Sequence, residues 1–228
     1  MKVLLYGRYG SHPQDIEPKV QRVGIEIVPP NFPNLPNSPN FPDAVITFGG
    51  DGTLLGAERD FPGIPKLPLK DSDGCFKCHP NSNEELLQLL VQNKLIVKEY
   101  SKLEVEFGGQ KYLVVNDATI RNTLPNTALR FSVNLNESSP SPLVTSSFVL
   151  VGDGLVVATS FGSTGYFFSI TKRTFAKGFG VAFNNIHNAD MEPLFFDKDE
   201  VTIKVIRGPG SLAMDNNPQI FDLTDNET

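Results

Sequence analysis

Gly49-Gly50-Asp51-Gly52-Thr53 holds the chain's most concentrated chemistry. An apolar run, Asp43-Ala44-Val45-Ile46-Thr47-Phe48, precedes it and reads as a buried strand. Residues 54–60 follow and read as a short helix stopped by Phe61-Pro62-Gly63. Glycines in such a strand-to-helix turn let the backbone adopt φ > 0 and come close to a ligand. The N–H groups of the turn and of the helix start then face an anion, most often a phosphate. An aspartate inside a phosphate cradle repels the ligand beside it, so it needs another task. Holding a metal ion and taking a proton from an attacking hydroxyl are two such tasks. A bare Gly-Gly-Asp-Gly also leaves open a tight turn in which Asp51 is only a cap.

A second stretch runs from Gly152-Asp153-Gly154 through an apolar run to Gly162-Ser163-Thr164-Gly165-Tyr166. It again reads as strand, glycine turn and helix start. Between the two lies Val115-Asn116-Asp117-Ala118. Together, in this order, these stretches resemble the NAD kinase family. That family carries Gly-Gly-Asp-Gly-Thr near the end of an early strand, then an Asn-Glu or Asn-Asp pair, then Gly-Ser-Thr-Ala-Tyr. Gly-Gly-Asp-Gly alone is shared with diacylglycerol and sphingosine kinases and, loosely, with phosphofructokinases; the ordered set is more specific. The resemblance covers residues 43–170 well and the two ends poorly.

The resemblance implies an α/β N-terminal domain with a parallel sheet, residues 1–96, and a β-rich dinucleotide-binding domain, residues 97–228, with the site in the cleft between them. It implies phosphorylation of the 2′-hydroxyl of the adenosine ribose of NAD to give NADP. ATP or polyphosphate would be the donor, with Mg²⁺ or another divalent cation, in a homodimer or homotetramer. Such a transfer needs a base, neutralised donor phosphates and an acceptor held in line. Asp51 is then the base or metal partner, and Gly49, Gly50, Gly52 and Thr53 meet phosphate. By position, Asn116, Asp117, Ser163, Thr164, Gly165 and Tyr166 hold the nucleotide. An Asn amide reads an adenine edge, a carboxylate holds ribose hydroxyls, and a Tyr ring stacks on a base. Asp153 has two readings, a plain hairpin turn or a carboxylate approaching the dinucleotide. Lys172, Arg173 and Lys177 are either a solvated basic face or further contacts to the anionic donor or pyrophosphate.

The chain also departs from the family. Gly165 stands for alanine, and residues 167–175 replace a small, glycine-rich stretch. Residues 71–80, with both cysteines, replace a Gly-Phe-rich string, and the family's C-terminal helical tail is not seen. Met214-Asp215-Asn216 matches the family's Asp-Gly only loosely. Two other classes therefore stand beside the kinase: a lipid or sugar kinase sharing only Gly-Gly-Asp-Gly, and a non-catalytic nucleotide-binding or regulatory protein on the same fold. Gly162-Ser163-Thr164 separates the chain from the first, and an assay for NADP from the second.

The elements that position these residues fall into two regimes. Strands alternate with helices up to residue 92: strands at 2–6, 24–28 and 64–69, helices at 18–22 and 83–92, the last with Asn83 as its cap. Beyond residue 95 strands dominate, with a hairpin over 102–115, further strands at 128–135, 147–151, 155–159, 200–206 and 220–223, and one short helix after Gly165. A proline at every third position from Pro33 to Pro42 suits a stiff polyproline II connector or a docking strip. A second glycine turn is expected at 7–10. The 228 residues, 39% hydrophobic and 20% charged, suffice for a packed core. The net charge of −6 argues against nucleic acid as a partner. No apolar run nears the ~20 residues of a membrane span. Cys75 and Cys78 bracket a Cys-x-x-Cys-His string. Without two further ligands for zinc or a signal for export, they read as reduced thiols in a cytoplasmic protein.

Overall fold

The computed structural model describes residues 1–7, 12–30, 41–71, 74–135, 148–197 and 200–225, with residues 135 and 148 described by their backbone alone. Most of the proline repeat and the expected turn at 7–10 lie outside the described residues. The chain divides into two compact units, Met1–Glu99 and Tyr100–Thr228.

The first unit is a parallel sheet with helices. Its strands are β1 (Lys2–Gly7), β2 (Glu26–Val28), β3 (Ala44–Phe48) and β4 (Lys66–Leu69), in the order β2-β1-β3-β4. Every pairing is parallel, with Leu5 opposite Ile46 and Phe48 opposite Leu69. The helices are α1 (Glu17–Arg22), α2 (Asp51–Asp60) and α3 (Asn83–Val91). Strand side chains alternate between two cores, because successive residues point to opposite faces. Val3, Ala44 and Ile46 meet Val20 of α1 and Leu86 and Leu87 of α3. Leu4 and Val45 meet Ala57 of α2 on the other face. Two local expectations change. Helix α2 begins at Asp51 rather than Leu54, because Gly50 takes the extended cap conformation, φ −92° and ψ −171°. Helix α3 is capped by Ser82, whose Oγ accepts the Glu85 N–H at 3.2 Å. Asn83 instead exchanges hydrogen bonds with the Lys70 backbone, 2.8 and 3.2 Å.

The second unit is built from antiparallel strands. β5 (Leu103–Phe107) and β6 (Gln110–Val114) form a hairpin through Gly108 and Gly109, both at positive φ. Then come β7 (Asp117–Asn122), β8 (Leu129–Leu135), β9 (Phe148–Gly152), β10 (Gly154–Thr159), helix α4 (Tyr166–Thr171), β11 (Phe179–Asn184), β12 (Leu194–Phe196), β13 (Val201–Arg207), β14 (Gly210–Met214) and β15 (Ile220–Leu223). Six strands make one sheet in the order β12-β11-β10-β7-β14-β15, and three make another, β13-β8-β9. Leu129, Phe131 and Val133 of β8 pack with Leu155, Val157, Val181 and Leu212 of the larger sheet. Its opposite face, Val156, Ala158 and Ala182, receives Phe167 of α4. Every residue of β10 is buried for this reason.

Strands β7, β11, β12 and β14 are not among those expected from the sequence. β7 reads as polar, Asp117-Ala118-Thr119-Ile120-Arg121-Asn122, yet it lies mid-sheet between β10 and β14. β11 contains Gly180, which a strand pattern disfavours. Here the missing side chain admits the Phe167 and Phe175 rings, each of which would meet a Cβ at 2.8 Å.

Candidate active site

In the first unit the turn after β3 presents Asp51 as the first residue of α2. Gly49 is at φ 148°, a conformation that favours glycine, and its N–H donates to Leu69 O at 3.0 Å. Nothing lies within 4 Å of where a Gly50 Cβ would stand, so the turn is open on that side. Thr53 is buried, and its N–H donates to Gly50 O at 3.0 Å. The far end of α2 is tied to β4 by the Lys66–Glu58 ion pair, with Lys66 Nζ also donating to Phe61 O at 2.6 Å. Helix α2 therefore opens with the Asp51 carboxylate in its first turn, at the end of a helix whose dipole favours negative charge.

The residues facing Asp51 come from the 74–80 loop. Its Oδ1 accepts the Lys77 backbone N–H at 2.9 Å and lies 3.4 Å from Cys75 Sγ. Cys78 Sγ lies 3.7 Å from Gly49 O. Cys75 and Cys78 are joined as a disulfide, which corrects the expectation of two reduced thiols. Their Cα atoms stand 5.4 Å apart, within the span that a disulfide closes.

In the second unit the sequence-predicted residues gather at one end of β10. Thr159 N–H donates to Asn116 O at 3.0 Å, and Thr159 Oγ1 donates to Val115 O at 2.6 Å. Gly162 N–H returns to Thr159 Oγ1 at 3.0 Å. A Cβ on Gly162 would stand 1.9 Å from Asn116 O, so only glycine allows this approach. Gly165 lies over the same pair, its would-be Cβ 3.3 Å from Asn116 Nδ2 and 3.9 Å from Asp117 Oδ2. Asn116 Nδ2 donates to Asp117 Oδ2 at 2.5 Å, and both residues are only 8% exposed. Asn116 Oδ1 is buried and has no hydrogen-bond partner among the described residues.

Other predicted residues are placed differently. Ser163 is buried, with Oγ at 2.8 Å from Ser160 O and 3.2 Å from Phe175 O, so its hydroxyl serves the backbone. Thr164 is exposed, and Tyr166 packs partly on the Val156, Ala158 and Phe167 cluster. Asp153 lies at the opposite end of β10, its carboxylate accepting Asn122 Nδ2 at 3.4 Å and Asn185 Nδ2 at 3.1 Å. Arg173 pairs with Glu192 at 2.9 Å, and Lys172 Nζ donates to Ser169 O at 2.8 Å.

The sequence reading gave no role to Asp215, which holds this end of the sheet together. Its Oδ1 accepts the N–H of Asn116 at 2.6 Å and of Asp117 at 3.2 Å, and its Oδ2 that of Val115 at 3.1 Å. Its own N–H donates to Asp117 O at 2.8 Å. Burial pushes the Asp215 carboxyl above its ordinary range, outweighing the three N–H donors that favour its charged form. Asp215 sits at φ 47°, a conformation that aspartate tolerates better than most residues. The sequence signal for it was the loose match at Met214-Asp215-Asn216.

No family model matches the chain. An NAD kinase of Sulfurisphaera tokodaii is 30% identical over 174 residues, 74% of this chain and 66% of that protein. An NAD kinase of Petrotoga mobilis is 28% identical over 129 residues, 54% of this chain and 44% of that protein. The chain thus matches 66% or less of these relatives' own length. The crystal structure of an NAD kinase from Archaeoglobus fulgidus in complex with ATP has the same fold, with a TM-score of 0.75 at 19% identity over 100% of this chain and 88% of that one. With the Gly-Gly-Asp-Gly turn at the head of α2, the Asn116–Asp117 pair under Gly162 and Gly165, and this shared sequence and fold, the chain belongs to the NAD kinase family.

Proposed function

We propose that this protein is an NAD kinase that phosphorylates the adenosine ribose 2′-hydroxyl of NAD to give NADP. The observation that carries the nucleotide half is the buried Asn116 Oδ1 without a partner. A buried acceptor left unpaired costs about 1–3 kcal/mol, which a ligand N–H such as the adenine amino group would relieve. Asp117 beside it is the acceptor for ribose hydroxyls. Gly165 lies over the same pair, the exposed Thr164 and the half-buried Tyr166 ring flank it in the chain as further nucleotide contacts, and Ser163 acts from within by fixing the backbone. Asp153, from the opposite end of β10, and the Lys172–Arg173 pair are assigned to the dinucleotide and its phosphates, with the Arg173 charge shared with Glu192.

Asp51 is the base. It takes the proton of the acceptor hydroxyl as the phosphoryl group is transferred, while the turn formed by Gly49, Gly50, Gly52 and Thr53, open on the Gly50 side, meets the phosphate at the head of α2. ATP is the donor in the first instance, with polyphosphate as the alternative.

Among the described residues no three His, Cys, Asp or Glu side chains gather as a metal cluster. A divalent ion that keeps its waters and binds through one carboxylate plus substrate phosphates fits such a site, with Asp51 as the protein ligand. Bound there, Mg²⁺ would neutralise donor phosphate charge. The protein is further assigned to the cytoplasm, where NAD and ATP are both available, and to a homodimer or homotetramer. No helix among the described residues is long and apolar enough to cross a membrane. Incubation with NAD, Mg²⁺ and either ATP or polyphosphate should yield NADP. No NADP above a blank with both donors overturns the kinase reading.

A further inference from the structure

We propose that Cys75 and Cys78 form a redox-active pair whose disulfide restrains Asp51 and whose reduction raises turnover. This rests on Asp51 being the base or metal partner of the kinase reading. The disulfide closes a four-residue loop directly onto the Gly49–Asp51 turn. Cys75 Sγ stands 3.4 Å from Asp51 Oδ1, Cys78 Sγ stands 3.7 Å from Gly49 O, and Lys77, between them, donates its N–H to that same Oδ1 at 2.9 Å. A disulfide sulfur carries no proton, so the sulfur facing the carboxylate donates nothing while the bond is intact. The bond instead keeps the Lys77 N–H on Asp51. An oxygen that already accepts the Lys77 N–H, and that faces a sulfur at 3.4 Å, has less room and one lone pair fewer for a substrate proton or a metal ion.

Chain stapling is a poor account of this bond, because the entropy removed from the unfolded chain grows with loop length and four residues give little. The pair is also reachable. Both cysteines are only partly buried, and Phe76 between them is 86% exposed.

The reductant is a dithiol, either a small molecule or a protein. One of its thiolates attacks a sulfur of the pair, the Cys75–Cys78 bond breaks, and a mixed disulfide forms. The second thiol of the reductant displaces it. Two electrons and two protons end on Cys75 and Cys78, and the reductant leaves as a disulfide. The loop is then untied, and Lys77 is no longer held against Asp51. The new Cys75 thiol is only a weak donor to the carboxylate.

The test uses the full chain, oxidised with oxidised dithiothreitol or reduced with dithiothreitol. Mass shifts with a maleimide should report no thiols in the first form and both in the second. The reduced form should make NADP about tenfold faster or more, the effect of releasing one hydrogen bond to a charged group, and reoxidation should reverse it. A Cys78→Ser chain should run at the reduced rate in either buffer. Equal turnover of the two forms overturns the gate and leaves the kinase reading standing. No NADP from either form overturns the kinase reading, and the gate on turnover with it. A second readout needs no turnover. In the Cys78→Ser chain Cys75 is the only thiol, and Asp51 opposes its ionisation. Adding Asp51→Asn should speed its alkylation by iodoacetamide severalfold, and equal rates overturn the contact on which the gate depends.

Discussion

Asp51 and Asp215 are both carboxylates on backbone N–H groups, yet they carry different loads. Asp51→Asn keeps an oxygen for the Lys77 N–H and a residue suited to a helix start, so stability should stay within roughly 1 kcal/mol. On the proposed mechanism it removes the proton acceptor, and NADP formation should fall by about 10²- to 10⁴-fold while NAD still binds. A variant keeping more than about a tenth of parent turnover, with calorimetry showing NAD bound, would take Asp51 out of the mechanism. Asp215 acts through Asn116 and Asp117. Asp215→Asn loses one of the three backbone acceptor contacts, and KM for NAD should rise about three- to tenfold with kcat little changed. A loss confined to kcat would contradict a positioning role.

The Asp215 variant also has a pH signature. Burial raises the carboxyl above its ordinary value, so between the unfolded and folded values the folded chain binds the extra proton. Its contribution to stability is therefore greatest below about pH 4, declines as pH rises through the folded value, and is flat above it. Subtracting the Asp215→Asn melting curve from the parent's across pH should expose this slope, and parallel curves would refute it. The Asn116-Asp117 pair is legible in the sequence because it is two adjacent residues in a recognisable order. Asp215 is not, since its partners lie 98 to 100 residues away. Nor is the Cys75 contact, which joins residues 24 apart through a loop that the family pattern lacks.

At the scale of elements, two glycines of the paired motifs make opposite demands. Gly162→Ala drives a Cβ into Asn116 O. Backbone cannot yield there as a flexible side chain would, so the cost should reach at least the 1–3 kcal/mol typical of overpacking, with NAD binding lost in step. Gly50→Ala meets open space and only loses a favoured cap residue, so stability should change by less than about 1 kcal/mol. If chemical denaturation ranked the two the other way, the backbone contact between the Gly162 turn and Asn116 would not be what holds this end of the sheet. Element legibility follows the same physics. β10 is plain in the sequence because both of its faces are buried and Leu155 to Ala158 are all apolar. β7 is hidden because it carries polar residues into mid-sheet, where Thr119, Asn122 and Asp117 are buried together. Helix α2 is recognisable from residues 54–60, but its start depends on the conformation of Gly50, which composition does not specify.

For the whole molecule, the parallel sheet with helices followed by antiparallel sheets follows from the change of pattern near residue 95. The strand order does not, because β7 and β14 pair across the chain's second half. Light scattering should give a particle of at least twice the 25.0 kDa chain mass, and a 25.0 kDa particle at working concentration would refute assembly. The Asp215 clamp also sets an order of events during synthesis. The turn at residues 115–117 leaves the ribosome 98 to 100 residues ahead of the carboxylate that fastens it, a lag on the order of ten seconds at ordinary translation rates. Until then the amides of Val115, Asn116 and Asp117 lack that acceptor, and β7 lacks β14 as a neighbour. The nascent chain must carry this half-made strand until its last partners arrive, with the β7 edge that β14 will cover open to mispairing for that interval.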